Sequence, residues 1–116
     1  MKVLVCGGRN YDDLGRVYSV LDMLHRKKPI TCIIEGGAKG ADYLACRWSA
    51  SRGLPEHRRF NADWGLHGKS AGPKRNQKMI DEGKPDMVVA FPGGTGTADM
   101  IRRAKAADIP VAEISL

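Results

Sequence analysis

Apolar residues follow two rhythms in this chain: short unbroken runs that end in glycine, and stripes at helical spacing between them. The run Lys2–Cys6 reads as a buried strand stopped by Gly7-Gly8. Asp12 or Asp13 is placed to cap a helix reaching about Arg26, whose Val17, Val20, Leu21 and Leu24 share one face. Lys27-Lys28-Pro29 ends it, and Ile30–Glu35 is the second strand. A helix from Ala41 to about Ser51 follows, with Leu44 and Trp48 inward and Gly53 as its C-terminal cap. Pro55–Ala62 is a strand with a charged middle, His57-Arg58-Arg59, which assigns it to a sheet edge. Residues Ala62–Gly72 show no period and read as a loop carrying Trp64 and His67. Pro73 suits the first position of a helix through about Glu82, with Met79 and Ile80 inward. Val88–Phe91, a helix over Ala98–Ala107 capped by Thr97, and a strand over Pro110–Ile114 complete the pattern.

Strand and helix alternate throughout, the strands are continuous apolar runs and the connections are short. The expected fold is therefore α/β: a single Rossmann-like three-layer sandwich over residues 1–116, with a mostly parallel five-stranded sheet. Ligands of such sheets bind beyond the carboxyl ends of the strands, where strand order reverses.

Those ends carry the chemistry. Gly7-Gly8, Gly36-Gly37 and Gly93-Gly94 each follow a strand, and the last two continue alike, GGAKGAD against GGTGTAD. A strand that breaks into glycines and restarts as a helix exposes main-chain N–H groups at the positive end of the helix dipole, a seat for phosphate. Gly7, Gly8, Arg9, Gly36, Gly37, Gly40, Gly93, Gly94, Thr95, Gly96 and Thr97 are the expected ligand-binding rim. Arg75 and Asn76 join it, because cations in the first turn of a helix are unfavourable unless an anion lies nearby. Lys74 and Lys78 read as solvated. Asp42, Asp99 and Glu35 are candidate acids beside the rim, for sugar hydroxyls or for proton transfer.

Composition narrows the field further. Hydrophobic content of 42% and charged content of 28% are ordinary for a soluble domain, and a net charge of +6 favours anionic partners. No apolar run is long enough for a membrane span, and MKVLVCGG is too short for a signal peptide. Cys6, Cys32 and Cys46 form no CxxC pair and read as reduced core residues of a cytoplasmic protein. The three histidines share no ligand spacing with one another or with the cysteines, so no metal site is expected. There is no Gly-Lys-Ser/Thr after the glycines and no GxGxxG after the first strand, which disfavours ATP hydrolysis and ordinary NAD binding; no cofactor is expected.

GGAKGAD, GPKRNQKM and FPGGTGTADM, in that order after a GGR turn, resemble the SLOG superfamily of Rossmann-like nucleotide-binding domains, and within it the YspA / YpsA-related branch. LOG phosphoribohydrolases, which cleave the base from a nucleoside monophosphate, and the DNA-processing protein DprA are more distant relatives. The resemblance implies a nucleotide or ribosyl-phosphate ligand held by Gly93, Gly94, Gly96, Thr97 and Arg75, in a sensor or a nucleotide-processing protein. LOG enzymes carry PGGxGTxxE and an Arg-Lys pair; here Met100 stands at the Glu position and Asn76 at that of Lys. A thioether can neither transfer a proton nor stabilise a cationic sugar, so an N-glycosidic hydrolase with a relocated acid is the alternative. A DprA-like module for single-stranded nucleic acid is a further one, resting on the basic stretch Arg52–Lys78 and its aromatics Phe60 and Trp64. Pairing of relatives through a helical face implies a homo-oligomer.

Overall fold

A computed structural model of the chain describes residues 1–115. Five parallel strands, β1 (Lys2–Cys6), β2 (Cys32–Glu35), β3 (Glu56–Arg59), β4 (Met87–Ala90) and β5 (Val111–Glu113), lie in the order β3-β2-β1-β4-β5. The helices are α1 (Leu14–Lys27), α2 (Ala41–Ser51), α3 (Trp64–His67), α4 (Ala71–Gly83) and α5 (Thr95–Ala106), with one 3-10 turn at Gly68–Ser70.

Side-chain alternation along each strand divides the core. Val3, Val5, Ile33 and Val89 face α1 and α2, where Val17, Leu21, Leu44 and Trp48 pack on them. Leu4, Cys6, Ile34, Val88 and Ala90 face Met79 and Ile80 of α4 and Met100 and Ala104 of α5. The result is the α/β three-layer sandwich expected of a Rossmann-like chain, with the strand order reversing between β1 and β4.

The boundaries shift for identifiable reasons. β2 begins at Cys32 rather than Ile30, because the Ile30 amide donates to His25 Nδ1 (2.9 Å) instead of to a neighbouring strand. β3 is an edge strand as expected but stops at Arg59; a last bond from the Phe60 amide to the Glu35 carbonyl (2.9 Å) precedes the departure toward α3. α3 lies inside the stretch expected to be loop, capped by Asp63, whose Oδ1 accepts from the Leu66 amide at 3.0 Å. α4 starts at Ala71, so Pro73 occupies its third position; a proline is tolerated there because first-turn amides have no partner within the helix. α5 starts at Thr95, so Thr97 is a buried first-turn residue and not the cap; Gly94 holds that place. Among the described residues, no helix is long and apolar enough to cross a membrane.

Candidate functional site

Three loops leave the carboxyl ends of β1, β2 and β4 and lock onto one another. The Gly8 amide donates to the Pro92 carbonyl (2.9 Å) and the Ala41 amide to the Gly8 carbonyl (3.3 Å), so the first loop is held from both sides. Gly40 permits this approach: its φ is +77°, and a Cβ there would run into the Gly8 carbonyl oxygen.

Above the point where strand order reverses lies a cleft of about 300 Å3. Val5, Cys6 and Met79 contribute apolar lining, Gly7, Gly8 and Arg9 come from the first loop, and Gly94–Thr97 from the start of α5. Ala38, Asp42, Trp64, Arg75 and Asn76 complete the lining. The cleft thus gathers ten of the expected residues, from the loop after β1, the starts of α2 and α5, and α4. Gly36, Gly37, Gly40 and Gly93 stand behind it as scaffold: a Cβ on Gly93 would strike Thr97 Oγ1, and one on Gly37 would strike the Asn61 side chain.

Two features of the cleft are electropositive. The first is α5, whose N-terminus has no side-chain cap, whereas Asp13 caps α1 by accepting from the Arg16 amide at 3.0 Å. First-turn amides lack partners inside a helix, and here they meet the positive end of a 12-residue dipole. The second is Arg75. Its Nη1 donates to the Gly36 carbonyl and its Nε to Asn76 Oδ1 (3.0 Å). Among the described residues no carboxylate oxygen lies within 4.0 Å of the guanidinium. Gly36 makes room for it, since a Cβ there would lie 2.5 Å from Nη1. Asn76 is buried and straps α4 to α5 through Nδ2, which donates to the Gly96 carbonyl (3.2 Å) and to Asp99 Oδ2 (3.0 Å).

The three candidate acids have separate environments. Asp42, 7% exposed, accepts at Oδ2 from the amides of Gly36 (3.1 Å) and Ala38 (3.3 Å) and borders the cleft. Burial pushes its carboxyl up to about 6, opposed by the Ala38 amide and Arg75 and helped by the Glu35 charge. Asp99 lies one turn into α5 because the helix begins early, and it faces Arg103 (2.8 Å) and Arg102 (3.3 Å), off the cleft. Burial works to raise its carboxyl, but hydrogen bonds from Arg103 and Asn76 and the arginine charges outweigh it and hold it low. Glu35 is fully buried; Oε2 meets His57 Nε2 (2.7 Å) and Arg59 Nε (2.8 Å), and Oε1 accepts from the Gly37 amide.

This last group was not visible in linear spacing. Glu35 and Arg59 are register partners across β2 and β3, and α2 brings Cys46 Sγ within 3.4 Å of Arg59 Nη2. Potential ligand atoms of Glu35, Cys46 and His57 lie within 4.8 Å of one another, with the Arg59 guanidinium already among them. Cys46 is accordingly half-buried beside a cation and not a core residue, unlike Cys6 and Cys32. Cys6, at the cleft, is held as a neutral thiol: burial, with Asp42 nearby, pushes it up to about 12. Of the aromatics in the basic stretch, Phe60 is buried beneath Arg58, whose guanidinium carbon is 4.9 Å from the ring centroid. Met100, at the position of the LOG acid, is fully buried in the core.

The family described as YAcAr: YspA, cpYpsA-related SLOG family matches residues 1–67, which hold the first two glycine loops. The chain is also similar to "Gene 61 protein" of Mycobacterium phage D29, 41% identical over 119 aligned residues that span 95% of this chain and 93% of that protein.

Proposed function

The chain belongs to the YspA, cpYpsA-related SLOG family, and from that membership we propose that its cleft binds a nucleotide or ribosyl-phosphate ligand by the phosphate, in a sensor or nucleotide-processing protein. One observation carries this reading: the uncapped N-terminus of α5 and an arginine with no described carboxylate oxygen within 4.0 Å line the same cleft. Phosphate would accept from the first-turn amides of α5 and from the remaining donors of Arg75. Asp42, with Oδ2 already engaged by two amides, would use Oδ1 to accept from a ribose hydroxyl.

The test is ligand-dependent stabilisation. Nucleoside monophosphates should raise the melting temperature in proportion to occupancy, and the corresponding nucleosides should not. Equal behaviour of nucleosides and their monophosphates would remove the phosphate from the reading.

A second reading, N-glycosidic cleavage, is favoured by Asp42 alone. A buried carboxyl raised to about 6 beside the cleft has the protonation behaviour of a general acid. Release of free base on incubation with nucleoside monophosphates, abolished in Asp42→Asn, would establish it. Binding with no release across the common bases would leave the sensor.

A further inference from the structure

The two tryptophans of the chain are treated in opposite ways. Trp48 is fully buried, its indole N–H donates to Asp22 Oδ1 (2.8 Å), and its ring meets His25 edge-on at 5.5 Å. Trp64 is 56% exposed, belongs to neither core cluster and, among the described residues, has no aromatic partner and no hydrogen bond from its indole N–H. It nevertheless lines the cleft. Its place there is built: Asp63 caps the single turn of α3, and the absence of a side chain at Gly72 leaves room for the ring edge, since a Cβ there would lie 3.3 Å from Cη2. Gly72 is in the first turn of α4, the turn that leads into Arg75.

We infer that Trp64 is the base-stacking platform of the cleft, and that the ligand is a nucleotide carrying an aromatic base and not a bare sugar phosphate. This rests on the phosphate reading above. An indole has the flat, apolar face that bases stack on, and stacking tolerates every base because each has a π-face. The phosphate seat and the indole line one cleft of about 300 Å3, within the range of small-molecule sites. Asp42 supplies the polar group for the ribose that joins them.

The experiment compares AMP, GMP, CMP and ribose 5-phosphate by calorimetric titration, with tryptophan fluorescence as a second readout. The nucleotides should bind roughly 5- to 150-fold more tightly than ribose 5-phosphate, the range for one stacked base, and should quench emission saturably. Trp64→Ala should erase that preference and the quench while leaving ribose 5-phosphate affinity unchanged; Trp64→Phe should restore part of the preference. Circular dichroism should show both variants folded, as expected for a side chain outside the core. Equal affinity of nucleotides and ribose 5-phosphate in the wild type would overturn the inference and leave the phosphate site standing. Failure of all four to bind would overturn both. A Trp64→Ala variant that keeps its base preference but loses a dimer seen by sedimentation velocity would make α3 a contact between copies, and the inference would fall.

Discussion

The rim over β1 and β4 and the rim over β2 and β3 lie on the same edge of one sheet, and they handle charge in opposite ways. At the β2/β3 rim a buried carboxylate, Glu35, is matched by His57 and Arg59, and its other oxygen is taken by the Gly37 amide. Over β1 and β4 the arginine has neutral partners only, the helix end has no cap, and glycines replace side chains. One rim has satisfied its electrostatics internally and contributes to stability. The other leaves an uncapped helix end and an arginine outside salt-bridge distance of any described carboxylate, the features on which the phosphate reading rests. Sequence-level resemblance between the GGAKGAD and GGTGTAD turns conceals this contrast.

Substitutions on the two rims should therefore fail in different assays. The largest effect is expected from Glu35→Ala, which strands the Arg59 guanidinium, the His57 ring nitrogen and a loop amide. Breaking a buried pair costs 3–5 kcal/mol when the partner stays buried; with Arg59 free to reach solvent, the lower end, about 3 kcal/mol of unfolding free energy, is expected. Denaturant unfolding measures it, and nucleotide affinity well below the midpoint should change less than it does in Arg75→Ala. Loss of binding with unchanged stability would reverse the assignment of the two rims.

Asp42 stands between the rims and adds a pH signature. Its folded pKa of about 6 lies above the ordinary carboxyl value of 3.8, so the native state holds the proton more tightly between those values. Stability contributed by that proton is present below about pH 4 and lost as pH rises through about 6, to the extent of about 2–3 kcal/mol. Unfolding curves from pH 4 to 7 should carry this slope, and Asp42→Asn should flatten it. An unchanged slope would place the titration elsewhere.

Arg75→Ala should weaken nucleotide binding by about 1.5–3 kcal/mol, the range for a charge-assisted contact, and should lower the unliganded melting temperature by less than Glu35→Ala does, through the lost bonds to Gly36 and Asn76. Unchanged affinity would make Arg75 a brace for the Gly36 loop and nothing more. The smallest effect sharpens the comparison most. Gly94→Asp introduces a cap at α5, where a Cβ meets nothing within 4 Å. Stability should rise by a few tenths of a kcal/mol, while phosphate binding falls because a carboxylate now competes for the same amides. A stability gain with undiminished phosphate affinity would show that the α5 amides are not the seat.

Much of this was legible in the chain. Unbroken runs gave β1, β2 and β4, the spacing of Val17, Val20 and Leu21 gave α1, and the charged middle of β3 put it at an edge. α3 escaped because one turn with no buried residue leaves no period to find. The start of α5 escaped because Thr95-Gly96-Thr97 are poor helix formers taken into the first turn by tertiary packing, with Thr97 buried. That early start also undid the parallel between Asp42 and Asp99, since it carries Asp99 a turn away from the cleft. The Glu35–His57–Arg59 group needed the β2/β3 register, which no local pattern contains.

The make-up of β3 also bears on how copies of the chain meet. An open sheet offers its outer strands as templates for a neighbour's backbone, the route to fibrils and swapped dimers. Here one margin reads Glu-His-Arg-Arg and the other is only three residues long. Charged side chains along one margin and the shortness of the other both blunt such templates. The sheet thereby discourages growth in its own plane, and crowded or concentrated solutions should drive contacts through helices before strands.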